Sequence, residues 1–127
     1  MKTQETPILT PLELKVMNIL WAKREGVVKD LIAAWPDDRV PAYNTVSTII
    51  RILEEKGFVG HEAQGRGHRY FPLISRGKYQ KILLKNVLDN VFAGSLTGLV
   101  STLLDNRTMS PEELQALREM IDENTEP

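Results

Sequence analysis

The spacing of apolar residues predicts three helices at the start of the chain. Thr10-Pro11-Leu12-Glu13 begins the first helix, because Thr10 can cap it, Pro11 suits the first helical position and Glu13 stands where a capping box needs a carboxylate. This helix is expected to run to about Trp21. The side chains expected to face inward are Leu12, Val16, Ile19 and Leu20.

A second, shorter helix is expected to end before Pro36, and a third to run over residues 42–56 and end at Gly57. The period then changes, and residues 58–63 and 69–73 are predicted to be strands. Three helices followed by a hairpin are the order of a winged helix-turn-helix, whose third helix enters the major groove of DNA. We place this domain at residues 7–73.

The helical period returns at Ser75 and predicts three more amphipathic helices, in which Ser95 caps the second and Ser110-Pro111-Glu112-Glu113 begins the third. Helices in a segment of about 50 residues bury little against one another, so their apolar faces need a partner, most commonly a second copy of the chain. Residues 74–124 are therefore predicted to be a helical dimerisation region. The residues expected at its interface are Val91, Phe92, Leu96, Leu99, Val100, Leu103, Leu114, Leu117 and Ile121.

Composition excludes several classes of protein. The 127 residues include no cysteine, which rules out disulfides and thiolate metal sites and fits a reducing cytoplasm. No apolar run approaches the roughly 20 residues that a membrane span needs, and the first nine residues do not resemble a secretory signal. We expect a cytoplasmic protein without membrane insertion.

The formal net charge of -1 hides a division along the chain. Residues 1–88 hold 14 Lys and Arg against 9 Asp and Glu, whereas residues 89–127 hold 2 against 8. Such a division is typical of a nucleic-acid-binding half joined to another part, although helical solvent faces that differ in sign would give the same counts.

The third helix carries a polar face of unusual composition. At about 100° per residue, Asn44, Ser47, Thr48 and Arg51 fall together, opposite an apolar stripe. Exposed helix faces usually carry stronger helix formers than Asn, Ser and Thr. Asn and Arg match adenine and guanine edges, and Ser or Thr can bond a base or a phosphate. A solvated polar face is the alternative, and the adjacent hairpin favours DNA reading.

The glycine-rich turn at residues 64–68 has a basic tip. We expect Arg66 to lie on a phosphate or in the minor groove, assisted by Arg69 or His68. The alternative is an ordinary hairpin turn with a soluble tip.

Nothing in the sequence predicts an enzyme, a metal site or a cofactor. His61 and His68 are the only histidines, and no cysteine or carboxylate cluster accompanies them. The order G-x-S-x-G is absent around Ser95, and no other nucleophile stands with a base.

The sequence resembles the penicillinase-repressor family of bacteria, which includes the β-lactamase, methicillin-resistance and copper-responsive repressors. The resemblance covers roughly residues 6–123. Its main runs are Thr45-Val46-Ser47-Thr48, Leu53-Glu54-Glu55-Lys56-Gly57-Phe58-Val59, Gly65-Arg66, Tyr70-Phe71-Pro72-Leu73 and Ser110-Pro111-Glu112-Glu113-Leu114.

The resemblance implies a homodimeric winged-helix repressor that binds dyad-symmetric operators, with the dimer formed by the C-terminal helices. Bases would be read by helix 42–56, and the DNA backbone contacted by the 64–68 wing. Many members of the family place Arg where Ile52 stands, whereas the cation here is Arg51. The residues that the resemblance assigns to DNA reading are Tyr43, Asn44, Thr45, Ser47, Thr48 and Arg51, with Arg66 in the wing.

Two departures from the family concern induction. The copper-responsive branch releases DNA through a cysteine-rich tail, a route that a chain without cysteine cannot use. The penicillinase branch is cleaved at an Asn-Phe bond, and Thr102-Leu103 stand at the matching positions. A membrane sensor protease is a hypothetical partner. The alternative functions are a winged-helix protein-interaction module without sequence-specific DNA binding, and a regulator that senses a small molecule.

Overall fold

The computed structural model describes residues 8–105 and 109–124 and confirms the predicted fold class, which is mainly helical with one antiparallel hairpin. The element bounds are α1 Pro11–Lys23, α2 Val28–Ala33, α3 Tyr43–Glu55, β1 Val59–Gln64, β2 Gly67–Pro72, α4 Arg76–Asn90, α5 Leu96–Asp105 and α6 Pro111–Asn124. In the described part of the chain, no helix is both long enough and apolar enough to cross a membrane.

Helix α1 begins with the predicted capping box but presents a different face to the core. The Glu13 backbone N–H donates to Thr10 Oγ1 (3.2 Å), and the Thr10 N–H donates to Glu13 Oε1 (2.8 Å). The prediction that Leu12 faces inward is wrong, because Leu12 is exposed while Glu13 and Met17 are buried. Glu13 can turn inward because Lys56 meets its carboxylate there.

The core of the domain lies between α1, α2 and α3. Helix α3 contributes the predicted apolar stripe, in which Val46, Ile50 and Leu53 are fully buried. Trp35 is buried and Trp21 packs against the same cluster, as expected for core tryptophans. Because the inner face of α3 is fixed by this packing, its polar face is held outward.

The hairpin has a shorter turn than predicted. Strand pairing continues from Val59 opposite Pro72 to Gln64 opposite Gly67, so only Gly65 and Arg66 form the turn. Gly65 has a φ of 60°, a left-handed conformation that a side chain would disfavour. The strands therefore include Gln64, Gly67 and His68, which had been assigned to the turn.

A β-bridge fastens the hairpin to the connection between α1 and α2. The Gly26 N–H donates to the Tyr70 carbonyl (2.9 Å), and the Tyr70 N–H donates to the Gly26 carbonyl (2.8 Å). The wing is thereby attached at a fixed point of the helical core.

The chain divides into two compact units between Leu83 and Leu84, ten residues beyond the boundary expected at residues 73 and 74. The start of α4 belongs to the first unit because Tyr79 is part of its core. The Tyr79 hydroxyl accepts a hydrogen bond from the Leu9 N–H (3.0 Å), and its ring meets that of Phe58 edge to face, with centroids 5.7 Å apart.

The second unit contains helices that expose apolar side chains. Helices α5 and α6 have no buried residue among those described. Ser95 caps α5 as expected, since its Oγ accepts a hydrogen bond from the Gly98 N–H (2.9 Å). Among the described residues of this unit, six large apolar side chains are exposed besides Leu84: Val91, Leu96, Leu103, Leu104, Met120 and Ile121.

Candidate nucleic-acid interface

The exposed face of α3 carries the residues that the sequence assigned to DNA reading. Tyr43, Asn44, Thr45, Thr48 and Arg51 are exposed, and Ser47 is half-buried. The Arg51 Nε–H makes only a long bond of 3.4 Å to the Ser47 carbonyl, and no carboxylate of the described chain pairs with this guanidinium. Arg51 therefore keeps its donors available for a ligand.

The wing and α3 line one open cleft of about 350 Å³. Tyr43 and Ser47 line it from α3, and Arg66 lines it from the wing. The predicted reading helix and the predicted backbone contact thus face the same space, although they are distant in sequence.

The cleft also contains Lys29, which the sequence did not single out, and Gln64, the first residue of the predicted 64–68 wing. Lys29 lies on α2 and Gln64 at the end of β1, and both line the cleft beside Arg66. An exposed lysine on the helix before a reading helix is a weak signal in sequence, because solvent-facing lysines occur on most helices. Its position in the cleft makes Lys29 a candidate phosphate contact.

Arg69 is held differently from Arg66. Its guanidinium pairs with Glu25 from the α1–α2 connection and with Glu62 from β1, and its Cζ lies 5.7 Å from the centre of the Phe71 ring. These two carboxylates offset its charge and direct it along the sheet. The expectation that Arg69 assists Arg66 at the tip stays a prediction, and the two ion pairs of Arg69 do not favour it.

The two histidines lie together at the side of the hairpin. Their ring centroids are 4.4 Å apart, and His61 Nδ1 lies 2.6 Å from Glu54 Oε2. No group of three or more His, Asp or Glu within residues 8–105 and 109–124 could hold a metal ion. The contact between His61 and Glu54 connects β1 with the last turns of α3.

A buried ion pair fixes the C-terminal end of α3. Lys56 Nζ lies 2.8 Å from Glu13 Oε2 and 3.0 Å from Glu13 Oε1. Burial alone would raise the pKa of Glu13, but the hydrogen bonds from Lys56 and from the Thr10 N–H outweigh it and hold that pKa below its ordinary value. The carboxylate stays charged, and it ties the end of α3 to the start of α1.

The sequence model of the penicillinase repressor family matches residues 9–123. The chain belongs to the penicillinase repressor family. A penicillinase repressor from Bacillus licheniformis is 25% identical to it over 121 residues, which cover 95% of this chain and 94% of that protein. The methicillin resistance regulatory protein MecI of Mammaliicoccus sciuri is 25% identical over 113 residues, covering 89% and 92% of the two chains.

The fold of this penicillinase repressor family member also matches a solved structure. The solution structure of the DNA-binding domain of the repressor BlaI aligns with a TM-score of 0.52 and 25% sequence identity, over 61% of this chain and 94% of that domain. The winged-helix assignment made from the order of helices and strands is thereby confirmed.

Within the family fold, the residues predicted for dimerisation lie at the surface of the second unit. Val91 and Leu96 are 70% and 61% exposed, and Phe92, Leu99, Val100, Leu114 and Leu117 are half-buried. The dimerisation role of these residues stays a prediction.

Proposed function

We propose that this penicillinase repressor family member represses transcription by binding operator DNA as a homodimer. The observation that carries the proposal is the cleft that Tyr43 and Ser47 of α3 line together with Arg66 of the wing tip. Asn44, Thr48 and Arg51 are exposed on the same helix and do not line this cleft. A helix face of Asn, Thr and Arg suits base edges, and a cation on a tight turn suits a phosphate. The repressor names of its relatives support the same function.

Base reading is assigned to α3. Asn44, Thr48 and Arg51 project their donors and acceptors from one exposed face. The first turn of α3 contains no acidic residue, so the positive end of the helix dipole is free to face the phosphate backbone. Tyr43 and Ser47, which line the cleft, would adjoin the sugar-phosphate edge.

Backbone contacts are assigned to Arg66 and Lys29, which both line the cleft. Both side chains are exposed, and neither makes an ion pair with a described residue. Contacts of this kind set the register of the protein on the duplex and leave the choice of sequence to α3.

Dimerisation is assigned to the exposed apolar residues of the second unit. A two-fold dimer places two reading helices on one duplex, so its operator would be an inverted repeat. Because the proposed ligand is bacterial operator DNA, we place the protein in the cytoplasm, and the proposal assigns it no cofactor and no catalysed reaction.

Selection of binding sites from a randomised duplex pool, at about 150 mM salt, tests the proposal. We expect an inverted repeat whose half-sites lie about one helical turn apart or a multiple of it. A single enriched half-site would contradict the dimer. No enrichment by a folded chain would contradict sequence reading and favour a protein-interaction module. The matched control is Asn44→Ala/Arg51→Ala, which should fold but lose the enrichment.

A further inference from the structure

A second concavity lies at the base of the hairpin, in the first unit. Its volume is about 460 Å³, and it is formed by the end of α1, the end of β2 and the start of α4. The concavity is wide open to solvent, and its volume lies within the range of small-molecule sites. Leu73 lies seven positions after Arg66, so at about 3.4 Å per residue the concavity is roughly 24 Å along the chain from the wing tip. Its ligand is therefore distinct from the phosphate contacted by the tip.

Two arginines give this cavity its charge. Arg24 and Arg76 both line it, no carboxylate lines it, and no ion pair to either guanidinium occurs in the described part of the chain. Arg69 differs, because two carboxylates already occupy its guanidinium. Two uncompensated guanidinium groups in one concavity favour an anion, and their planar donors match a carboxylate or a phosphate.

The guanidinium of Arg76 is oriented by an anchored aromatic ring. Trp21 Nε1–H donates to the Ile74 carbonyl (2.8 Å), and the Trp21 ring also meets the Tyr79 ring, with centroids 6.1 Å apart. The Arg76 Cζ lies 5.3 Å from the centre of the Trp21 ring. A guanidinium stacked on a fixed indole loses less freedom when it binds an anion than a free surface arginine does.

Arg24 occupies a backbone position that favours glycine. It ends α1 with a φ of 78°, in the left-handed region. Helices usually place Gly or Asn there, because a larger side chain is strained by about 1 kcal/mol. Arg24 therefore carries a long cationic side chain at a strained position that also lines the concavity with a second cation, and such strain is found at ligand-binding sites as well as at helix ends.

The opposite wall of the cavity is apolar. Leu73 is 60% exposed, and Pro72 stands beside it. A ligand held by the arginines would place an apolar portion over these side chains and remove them from water.

We propose that this cavity binds a small organic oxyanion, namely a carboxylate or phosphate monoester attached to an apolar group, through Arg24 and Arg76. The acidic group lies between the two guanidinium groups, and the apolar group lies over Leu73 and Pro72.

Titration of the full chain with phenyl phosphate, followed by the indole N–H signals in a ¹⁵N–¹H spectrum, tests the proposal. We expect the Trp21 signal to shift saturably below about 20 mM ligand, while the signal of Trp35, which does not line the cavity, stays in place. Trp21→Phe assigns the two signals. No saturable shift with phenyl phosphate or with benzoate would overturn the proposal.

The variants Arg24→Gln and Arg76→Gln should each raise the Kd for phenyl phosphate about fivefold or more. The matched control is Lys81→Gln, which removes an exposed cation of α4 outside the cavity and should change the Kd less than about twofold. Equal losses in all three variants would mean nonspecific charge attraction and would overturn the site. Inorganic phosphate should bind more weakly than phenyl phosphate, and equal affinity would refute the apolar contact.

A DNA titration separates this site from the proposed repressor function. The double variant Arg24→Gln/Arg76→Gln should keep the salt dependence of the intact chain on duplex DNA. A slope that falls by about one unit per arginine would make both residues phosphate contacts and would overturn the small-anion site while preserving DNA binding. Failure of DNA binding by the unmodified chain would refute the repressor function and leave the phenyl phosphate result independent.

Discussion

Replacing Lys56 by Met should destabilise the first unit by about 2 kcal/mol. Methionine has an unbranched apolar side chain close in length to that of lysine. The substitution therefore removes mainly the ammonium that contacts both oxygens of the Glu13 carboxylate, which is 7% exposed. Breaking a fully buried ion pair from one side costs about 3–5 kcal/mol. The Lys56 side chain is 26% exposed, so water can reach the vacated position and lower that cost.

Urea unfolding followed by tryptophan fluorescence, at one protein concentration, measures this loss. The matched control is Lys15→Met, which breaks an exposed pair with Asp37 and should cost at most about 0.5 kcal/mol. The pH dependence provides a second test. The pKa of Glu13 is lowered in the folded chain, so its contribution is complete above the ordinary value of 4.5 and is lost as pH falls through the folded pKa.

The difference between the unmodified chain and Lys56→Met should therefore shrink as pH falls from 7 to below about 4. Equal losses in Lys56→Met and Lys15→Met at pH 7 would refute the reasoning. A difference that stays constant down to about pH 3 would show that a change in local packing, and not the charge of Glu13, causes the effect.

Three further predictions concern DNA binding and assembly. Arg51→Ala should weaken binding to the selected operator by about 1–3 kcal/mol and binding to random duplex by less, and equal losses would remove Arg51 from base reading. Arg66→Gln should lower the slope of log K against log salt by about one unit. Arg69→Gln should leave that slope unchanged, because Glu25 and Glu62 already offset its charge. A slope lowered by Arg69→Gln and not by Arg66→Gln would exchange the two roles. Leu96→Asp should shift sedimentation from dimer toward monomer, since it places a charge on an exposed apolar surface, and an unchanged dimer would locate the interface elsewhere.

The elements of the first unit could be predicted from local signals, because each has its own spacing of apolar residues and its own residues that begin or end it. The capping box at Thr10 and the apolar stripe of α3 both require only neighbours in sequence, and both are present. The inward position of Glu13 could not be predicted in this way. It depends on Lys56, which lies 43 residues away, and an acidic residue at that position of a helix is ordinarily satisfied by its own cap.

The candidate site shows the same limit. The polar face of α3 follows from helical spacing, so the residues proposed for base reading could be predicted from the sequence as a group, and their role stays a prediction. The different environments of Arg66 and Arg69 do not follow from spacing, because Glu25, one of the two carboxylates that hold Arg69, comes from a separate connection. Lys29 entered the site only when folding brought α2 beside the wing.

The hydrogen bond between the Leu9 N–H and the Tyr79 hydroxyl joins residues 70 positions apart and has a consequence for synthesis on the ribosome. Helices α1 to α3 emerge well before Tyr79 does, so the first unit of the nascent chain stays incomplete until the start of α4 has left the exit tunnel. Closing a loop of this length has a high entropic cost, so we expect this contact to form late in folding. We expect the first unit to be completed as the helices that follow it emerge, so that a nascent chain would become competent for DNA only shortly before the proposed dimer could form.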